Sequence, residues 1–567
     1  MKKNVLFILL DGCEFSTFEN RKVASKLAPN ISNLMKTGIL KKIISNGQIT
    51  QVSLPSILTQ TYPLDFDGYN NGIRSRPKSI IEIFRDEGYD TSFIAAHNSI
   101  TGPRRGFERG ANFVKSIFDF DDTIEDFIRN FIYYELKKFD EKKISEKELI
   151  KIIKQQFSSL LDYMICSKDR VNYFFLPRRL RVQKEKIKIK LKAELEILKK
   201  NPKDIIKKIK LVPSRFYSDY LGIKPDMLDK VNLDNIIKIK KKIYNFKEKF
   251  NGIFKQKSGL GFSPFSIYVS PTASEVFRTI DDFLNTQNSK LPWFIFVQLE
   301  DIHDGPKTCR LFNFIFKLKY LKRLLKIRKK YSSHRDFWRD LSLIYLDSEF
   351  GRFFKRLKKR KMLNNTIFYL FGDHGMGWDN KRDKSLMNNL GVRTHYEHIE
   401  VPLIISPCNK KPYKGMHDGM SISATLLSEL GFKKHKSFKG KTIFSKSKEA
   451  SIVENTGRGY CDFKNRDIFF TITTVKYKGM FVLINKKLHP MRLYDKENDP
   501  NEYKNLLEEK IDTEAINFLV KFLIQERKKL LVNRGVNLKK ILNKEEKWVV
   551  KEYKLDSYKS PRYYSRN

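Results

Sequence analysis

Aspartates and histidines of this 567-residue chain collect just behind short apolar runs, and their types suit a divalent metal. Asp11 follows NVLFILL, Asp301 and His303 stand in LEDIHDGP, and Asp373 and His374 stand in FGDHGMGW. Arg393, His395 and His398 lie in RTHYEHIEVPLII. Carboxylate oxygens are hard ligands and imidazole suits zinc or manganese, so Ca, Mg, Mn and Zn all stay open. Such an ion lowers the pKa of a Ser or Thr hydroxyl and steadies an ester oxyanion during in-line attack. The segment GQITQVSLPSILT, residues 47–59, supplies hydroxyls of this kind. Pro55 at a first turn, followed by Ile57-Leu58, predicts a helix that begins at the proline, whose unsatisfied N–H groups would face an anionic ester centre. Singly, each feature is ordinary. Asp-Gly after a strand is a turn more often than a ligand, Asp-His-Gly serves as a helix cap, and Ser ahead of Pro is a common cap.

Four apolar runs position these groups. Asn4–Leu10 reads as a fully buried parallel strand that aims Asp11 at the sheet's carboxyl edge. Thr91–Ala96 follows a helical pattern over Lys78–Glu87, and Trp293–Leu299 and Thr366–Phe371 repeat the strand-then-Asp/His arrangement. Strands of this kind predict an α/β sandwich whose ligands converge beyond the strand ends. Leu341–Lys359 carries apolar residues at helical spacing and ends in a basic run, which favours a helix C-terminus.

Lys plus Arg number 111 against 65 Asp plus Glu, a formal charge of +46, which attracts anions without choosing among phosphate esters, anionic polysaccharide, a membrane face or nucleic acid. A chain with 41% hydrophobic residues buries a large core, so whole-chain disorder is excluded. Residues 119–260 are Lys-, Ile- and Leu-rich and Gly-poor, and read as a basic, mostly helical insertion. Its charge is either a solvated face or an anion- or membrane-facing surface. The segment KEKIKIKLK inside it alternates like a strand, yet its setting favours helix. The tail from Tyr553 onward reads as poorly ordered. Cys13, Cys166, Cys309, Cys408 and Cys461 form no C-x-x-C pair, so neither a zinc ribbon nor a disulfide framework is indicated. No run approaches the roughly 18 to 20 apolar residues that cross a bilayer, and no signal-type cleavage region follows Leu10, so a cytoplasmic, soluble protein is expected. No recognition module for a specific nucleic acid is present.

In order and spacing the motifs resemble the sulfatase-like branch of the alkaline phosphatase superfamily. NVLFILLDG is similar to that family's first strand and metal aspartate, and APNISNLMKTG to its TPN-x-x-x-L-x-x-x-G helix. SLPSILT falls where the nucleophile segment lies, and SIIEIFRDEGYDTSFIAAH resembles the next helix and strand. FVQLEDIHD, LIYLDSEFGRFFKRLKKRKMLNNTIFYLFGDHG and THYEHIEVPLII follow in the family's order. SISATLLSELG and LYDKENDPNEYKNL match its closing segments. The resemblance implies an alkaline phosphatase/sulfatase-like sandwich with a central mixed, mostly parallel sheet flanked by helices. Residues 1–118 and 261–432 would form the catalytic α/β domain, interrupted by the insertion at 119–260. Residues 433–515 would form a C-terminal subdomain and 516–567 a Lys/Tyr-rich extension.

Carried over residue by residue, the resemblance puts metal ligands at Asp11, Asp373 and His374, with Gly12 where sulfatases usually have a second aspartate. His303 falls on the substrate-oxyanion histidine of the D-P-H-D segment. Arg393 or His395 would bind the ester's anionic oxygens or assist the leaving group, with a second-metal role as the alternative for His395. Ser53-Leu54-Pro55-Ser56-Ile57 keeps the Ser and Pro of C/S-x-P-x-R but has Ile57 for Arg, so formylglycine is not expected and Ser53 is the favoured nucleophile. In a rival register, G-x-x-T-x-x-S-x-P resembles the lipid A phosphoethanolamine transferases and puts Thr50 in the attacking position. The expected activity is a metal-dependent sulfuric or phosphoric ester hydrolase acting on an anionic ester, linked to a sugar, polysaccharide or lipid. The alternatives are a phospho-group transferase of the same superfamily and a non-catalytic anion- or glycan-binding descendant. Peripheral membrane contact would run through the basic insertion.

Overall fold

Strand β1 (Asn4–Leu10) runs through the centre of the molecule with every residue buried. Its side chains alternate between two cores, Leu6, Ile8 and Leu10 on one face and Val5, Phe7 and Leu9 on the other, so helices must cover both sides. The computed structural model describes residues 2–69, 72–95, 105–116, 272–286, 291–304, 334–376, 393–446, 448–457, 467–509 and 511–551, with 101, 138–139, 142–152, 196, 200–201, 320–321, 323–324 and 327 between them. Most of the expected insertion, including KEKIKIKLK, and the tail from Tyr553 lie outside the described residues.

Among the described residues the first sheet contains β1, β2 (Ile39–Ile44), β3 (Asp90–Ala95), β4 (Phe113–Ser116), β5 (Trp293–Leu299), β6 (Thr366–Phe371) and β7 (Glu400–Ser406). Their order is β2-β7-β6-β1-β5-β3-β4. β1 pairs in parallel with β5 and β6, and β3 with β5 and β4, whereas β7 is antiparallel to both neighbours. The sheet is therefore mixed and mostly parallel. Helices Pro29–Lys36, Ala273–Thr286 and His334–Lys359 pack residues such as Ile31, Phe277 and Phe353 on one face. Helices Thr50–Thr59, Ile80–Asp86 and Met420–Glu429 cover the other, through Ile57, Ile81 and Leu426. Phe7 anchors this second face against Phe371, their ring centroids 4.4 Å apart, and full burial of such a ring stabilises by about 1.5–3 kcal/mol.

A second sheet, antiparallel in the order β11-β10-β9-β8, is built from β8 (Ser451–Asn455), β9 (Ile468–Thr473), β10 (Tyr477–Ile484) and β11 (Lys487–Asp495). The Thr513–Asn533 helix covers it with Ile516, Leu519 and Leu523. This helix begins at Thr513, three residues ahead of the extension expected from residue 516, is capped by Asp512 and kinks at Arg527. The same core takes in Val52 from the Thr50–Thr59 helix, so the second sheet braces the helix that carries the candidate nucleophiles.

Two helices begin earlier than the sequence predicts. His334–Lys359 starts seven residues ahead of Leu341. Thr50–Thr59 starts five residues ahead of Pro55, which lies inside it rather than at its first turn. The start is fixed by Ile49 in an extended conformation, and Ile49 accepts from the N–H groups of Val52 and Ser53. Pro55 removes one later helix bond, a loss tolerated in a helix buried along almost its whole length.

Candidate active site

The carboxyl ends of β1, β5 and β6 deliver Asp11, Gln298 with Glu300 and His303, and Asp373 with His374 to one place. After Leu10 the chain turns through Gly12 at φ +67°. A Cβ at Gly12 would stand 2.7 Å from the Met376 sulfur and 3.3 Å from His303 Cβ. Left-handed backbone and occupied space together disfavour a side chain at this position, where the sequence has no second aspartate.

Thr50 is the first residue of its helix, and its hydroxyl lies 3.1 Å from Asp11 Oδ2 and 3.1 Å from His374 Nε2. Ser53, one turn later, donates instead to the Ile49 carbonyl at 3.1 Å and to Asp373 Oδ2 at 3.2 Å. The loop before the helix is tied to the metal loop by Ser45, whose hydroxyl accepts from Gly47 N–H and donates to the Asp373 carbonyl. Gly47 itself sits so close to the helix that a Cβ would meet Val52 Cγ1 at 2.6 Å and Ser53 N at 2.7 Å.

His374 Nδ1 lies 2.8 Å from the Gly375 carbonyl, which makes Nδ1 the donor and turns the Nε2 lone pair inward. Nε2 stands 3.5 Å from Asp11 Oδ1 and 3.6 Å from Asp373 Oδ2. The His303 ring meets His374 edge-on, centroids 6.0 Å apart. Asp11, His303 and His374 each offer a ligand atom within 4.8 Å of the others. Burial and the neighbouring Asp11 carboxylate push the Asp373 carboxyl up to about 6. Asp373 Oδ1 is buried with no hydrogen-bond partner among the described residues. Two buried carboxylates and an imidazole lone pair converging on one point fit a divalent cation, whose charge would offset their repulsion. Cys13, two residues past Asp11, is inert as a nucleophile, its thiol pushed up to about 12 by burial and Glu14.

His395 is held elsewhere in the network. Its Nδ1 lies 3.2 Å from Glu502 Oε2, and Glu502 accepts from Lys478 at 2.8 and 2.9 Å. Burial alone would raise the Glu502 carboxyl, but Lys478 and His395 hold it well below the usual carboxylate range. His398 lends its backbone, its carbonyl accepting from Gly375 N–H at 2.7 Å. Arg393 is half-buried at the start of the described stretch that leads into this turn. Sequence reasoning missed Gln298, Glu300 and Glu502. Gln298 left a trace, as the one amide in the apolar strand WFIFVQL.

Comparison with known families decides the identity of this arrangement: the Sulfatase family matches residues 3–170 and 245–431. The chain belongs to the sulfatase family. Among solved structures, this sulfatase is similar to BT4656 in complex with its substrate D-glucosamine-2-N,6-O-disulfate, with 12% identity, TM-score 0.50, and 93% of this chain and 98% of that one covered. It is also similar to the phosphonate monoester hydrolase of Agrobacterium radiobacter, with 13% identity, TM-score 0.50 and coverage of 93% and 96%. A Bacteroides thetaiotaomicron protein from a glycosaminoglycan-metabolism locus matches at 13% identity and TM-score 0.50, with coverage of 96% and 99%. At such identities the likeness is one of fold, the alkaline phosphatase/sulfatase fold expected from the sequence. Among curated proteins none matches. As a sulfatase-family member the chain is an enzyme of the sulfuric or phosphoric ester hydrolase or transferase type, with a candidate Asp/His site for a divalent metal. No helix among the described residues is long and apolar enough to cross a membrane.

Proposed function

We propose that this sulfatase-family enzyme cleaves a phosphoric ester, with Thr50 as the nucleophile and one divalent metal held by Asp11, Asp373 and His374. The observation that carries this reading is the Thr50 hydroxyl, 3.1 Å from both Asp11 Oδ2 and His374 Nε2 at a helix N-terminus. Ser53, favoured on sequence, is one turn away with its hydroxyl bonded to Ile49 and Asp373. In this reading it is a positioning residue for Asp373. When bound, a divalent ion held by these residues would lower the pKa of the Thr50 hydroxyl and offset negative charge on the ester oxygens.

Thr50 Oγ1 gives up its proton to solvent and forms a bond to phosphorus as the ester P–O bond breaks, and the alkoxide takes a proton from water and leaves as an alcohol. His303 faces the same space and balances charge on the ester oxygens, while the N–H groups of Thr50 and Gln51, which precede the first helix bonds made by Val52 and Ser53 to Ile49, favour an anion there. Water or an acceptor alcohol then takes the phosphoryl group from Thr50. A plain hydroxyl favours phosphate over sulfate, because the formylglycine hydrate expels sulfate by an elimination that threonine cannot perform. Val52, not Pro, stands two residues after Thr50, so no formylglycine motif surrounds it. An anionic ester carried on a sugar, polysaccharide or lipid suits a chain of +46 charge, which draws such substrates in.

The test is a screen of aryl sulfates, aryl phosphate monoesters and diesters with Mg, Ca, Mn and Zn on wild type, Thr50→Ala and Ser53→Ala. Phosphoester turnover lost in Thr50→Ala and reduced in Ser53→Ala supports the reading. Sulfate turnover that survives in Thr50→Ala overturns it.

A further inference from the structure

Gln298 is fully buried at the carboxyl end of β5, on the face of the sheet where the Thr50–Thr59 helix packs. Its side chain is fully engaged. Thr101 donates its hydroxyl to Oε1 at 2.6 Å, and the two carboxylates at the other amide atom, which only accept, identify it as Nε2. That nitrogen donates one hydrogen to Asp11 Oδ2 at 2.7 Å and the other to Glu300 Oε1 at 2.6 Å. Glu300, 1% exposed, places its second oxygen, Oε2, 3.5 Å from His303 Nδ1. A chain of contacts therefore runs from Thr101 through Gln298 to Asp11 on one side, and through Glu300 to His303 on the other.

We propose that Gln298 and Glu300 are positioning residues of the ester-transfer site, Gln298 aiming Asp11 at the metal and Glu300 fixing the ring of His303 over the ester. The inference rests on the phosphoester reading above. Its physical basis is the cost of two buried carboxylates near one another. A neutral amide with two hydrogens in a fixed fork holds both at hydrogen-bond distance without adding charge, which neither Glu nor an apolar residue of the same size does. Thr50 and Gln298 both donate to Asp11 Oδ2, so one oxygen of that carboxylate is anchored by protein donors and the direction of the other is set by them. Partners of this kind orient metal-binding groups, and their loss commonly weakens metal affinity or activity by about 10- to 100-fold.

The two arms separate in experiment. Purified wild type, Gln298→Met, Thr101→Val, Glu300→Ala and Glu300→Gln, each with all 567 residues, are titrated with Mn2+ and with Zn2+ against a competing chelator, then assayed on a phosphodiester with kcat and KM resolved. Gln298→Met is expected to raise the metal Kd by about 10-fold or more, and Thr101→Val to raise it in the same direction by less. Glu300→Ala is expected to keep the metal Kd within about threefold of wild type and to lower kcat about tenfold with KM little changed. Glu300→Gln, which keeps an acceptor oxygen, should recover most of that loss. Should Gln298→Met not fold, the metal Kd of Thr101→Val decides the first arm alone. Wild type that binds metal and turns over ester while Gln298→Met and Thr101→Val bind metal as tightly overturns the positioning inference. Wild type that neither binds metal nor turns over ester overturns the function beneath it.

Discussion

Thr50 Oγ1 and His374 Nε2 stand 3.1 Å apart, joining the first residue of a helix to the loop that follows β6. The contact makes Thr50, rather than Ser53, the hydroxyl that shares a space with the imidazole lone pair. Removing it should therefore abolish turnover. Thr50→Ala is expected to lower kcat by about a thousandfold or more. Ser53→Ala should lose much less and show weaker metal binding, since its bond to Asp373 is what disappears. Steady-state kinetics on both variants, with metal titration, distinguishes the roles.

Gly12 disfavours replacement by aspartate. The left-handed φ and the Met376 sulfur 2.7 Å from a Cβ predict that Gly12→Asp destabilises the protein by about 1–3 kcal/mol, and that it adds no calcium affinity. Pairing it with Met376→Ala relieves the contact but not the backbone strain, so the double variant should recover only part of the loss. Denaturant titration of the three proteins reads this directly.

Metal should stabilise the protein more at neutral pH than in acid. Asp373 titrates near 6 in the folded chain against an ordinary 3.8, raised by burial and by Asp11. In metal-free protein the contribution of this carboxyl is complete below about 4 and is lost as pH rises through 6. A cation binds the deprotonated form, so saturating metal acts most strongly above pH 6, adding about 2.7 kcal/mol at a hundredfold excess over Kd. Thermal melts with and without metal should show a larger shift at pH 7.5 than at pH 4.5. Equal shifts at the two values would contradict the site.

Lys478 and Glu502 form an ion pair with both side chains 0% exposed. Lys478→Met leaves Glu502 charged and buried with His395 and the Tyr396 N–H as its partners but no cationic side chain among the described residues paired to it, and should cost about 3–5 kcal/mol in urea unfolding. The Lys478→Met, Glu502→Gln double variant should regain much of that stability. Its kcat should stay reduced, because the carboxylate that holds His395 Nδ1 is gone.

Much of the fold is legible in the sequence because buried parallel strands announce themselves. Trp293–Leu299 and Thr366–Phe371 form strands with the bounds their apolar runs suggest, and Asp373 and His374 follow as the order of motifs implies. The relative placement of the two candidate hydroxyls, Thr50 and Ser53, was harder to read. The start of the Thr50–Thr59 helix is fixed by Ile49, by the close approach of Gly47 to Val52 and by the Ser45 bridge to Asp373, contacts between segments that no local pattern around Pro55 records. Glu502 reaches His395 across 107 residues of chain, and its role follows only once the second sheet is in place. Gln298 is the intermediate case. A polar residue inside an apolar strand marks a special position and Glu300 lies only two residues on, but the other partners, Asp11 and Thr101, come from distant places in the sequence.

The central claim, that Thr50 takes the phosphoryl group, is tested most directly by trapping the covalent enzyme. Wild type mixed with metal and a phosphodiester, quenched in acid within the first turnover and digested, yields a peptide that contains both Thr50 and Ser53. Fragment-ion mass spectrometry between these residues locates the modification. The account predicts the ester's phosphoryl moiety on Thr50 and unmodified Ser53. The same group on Ser53, or formylglycine at that position, would contradict it.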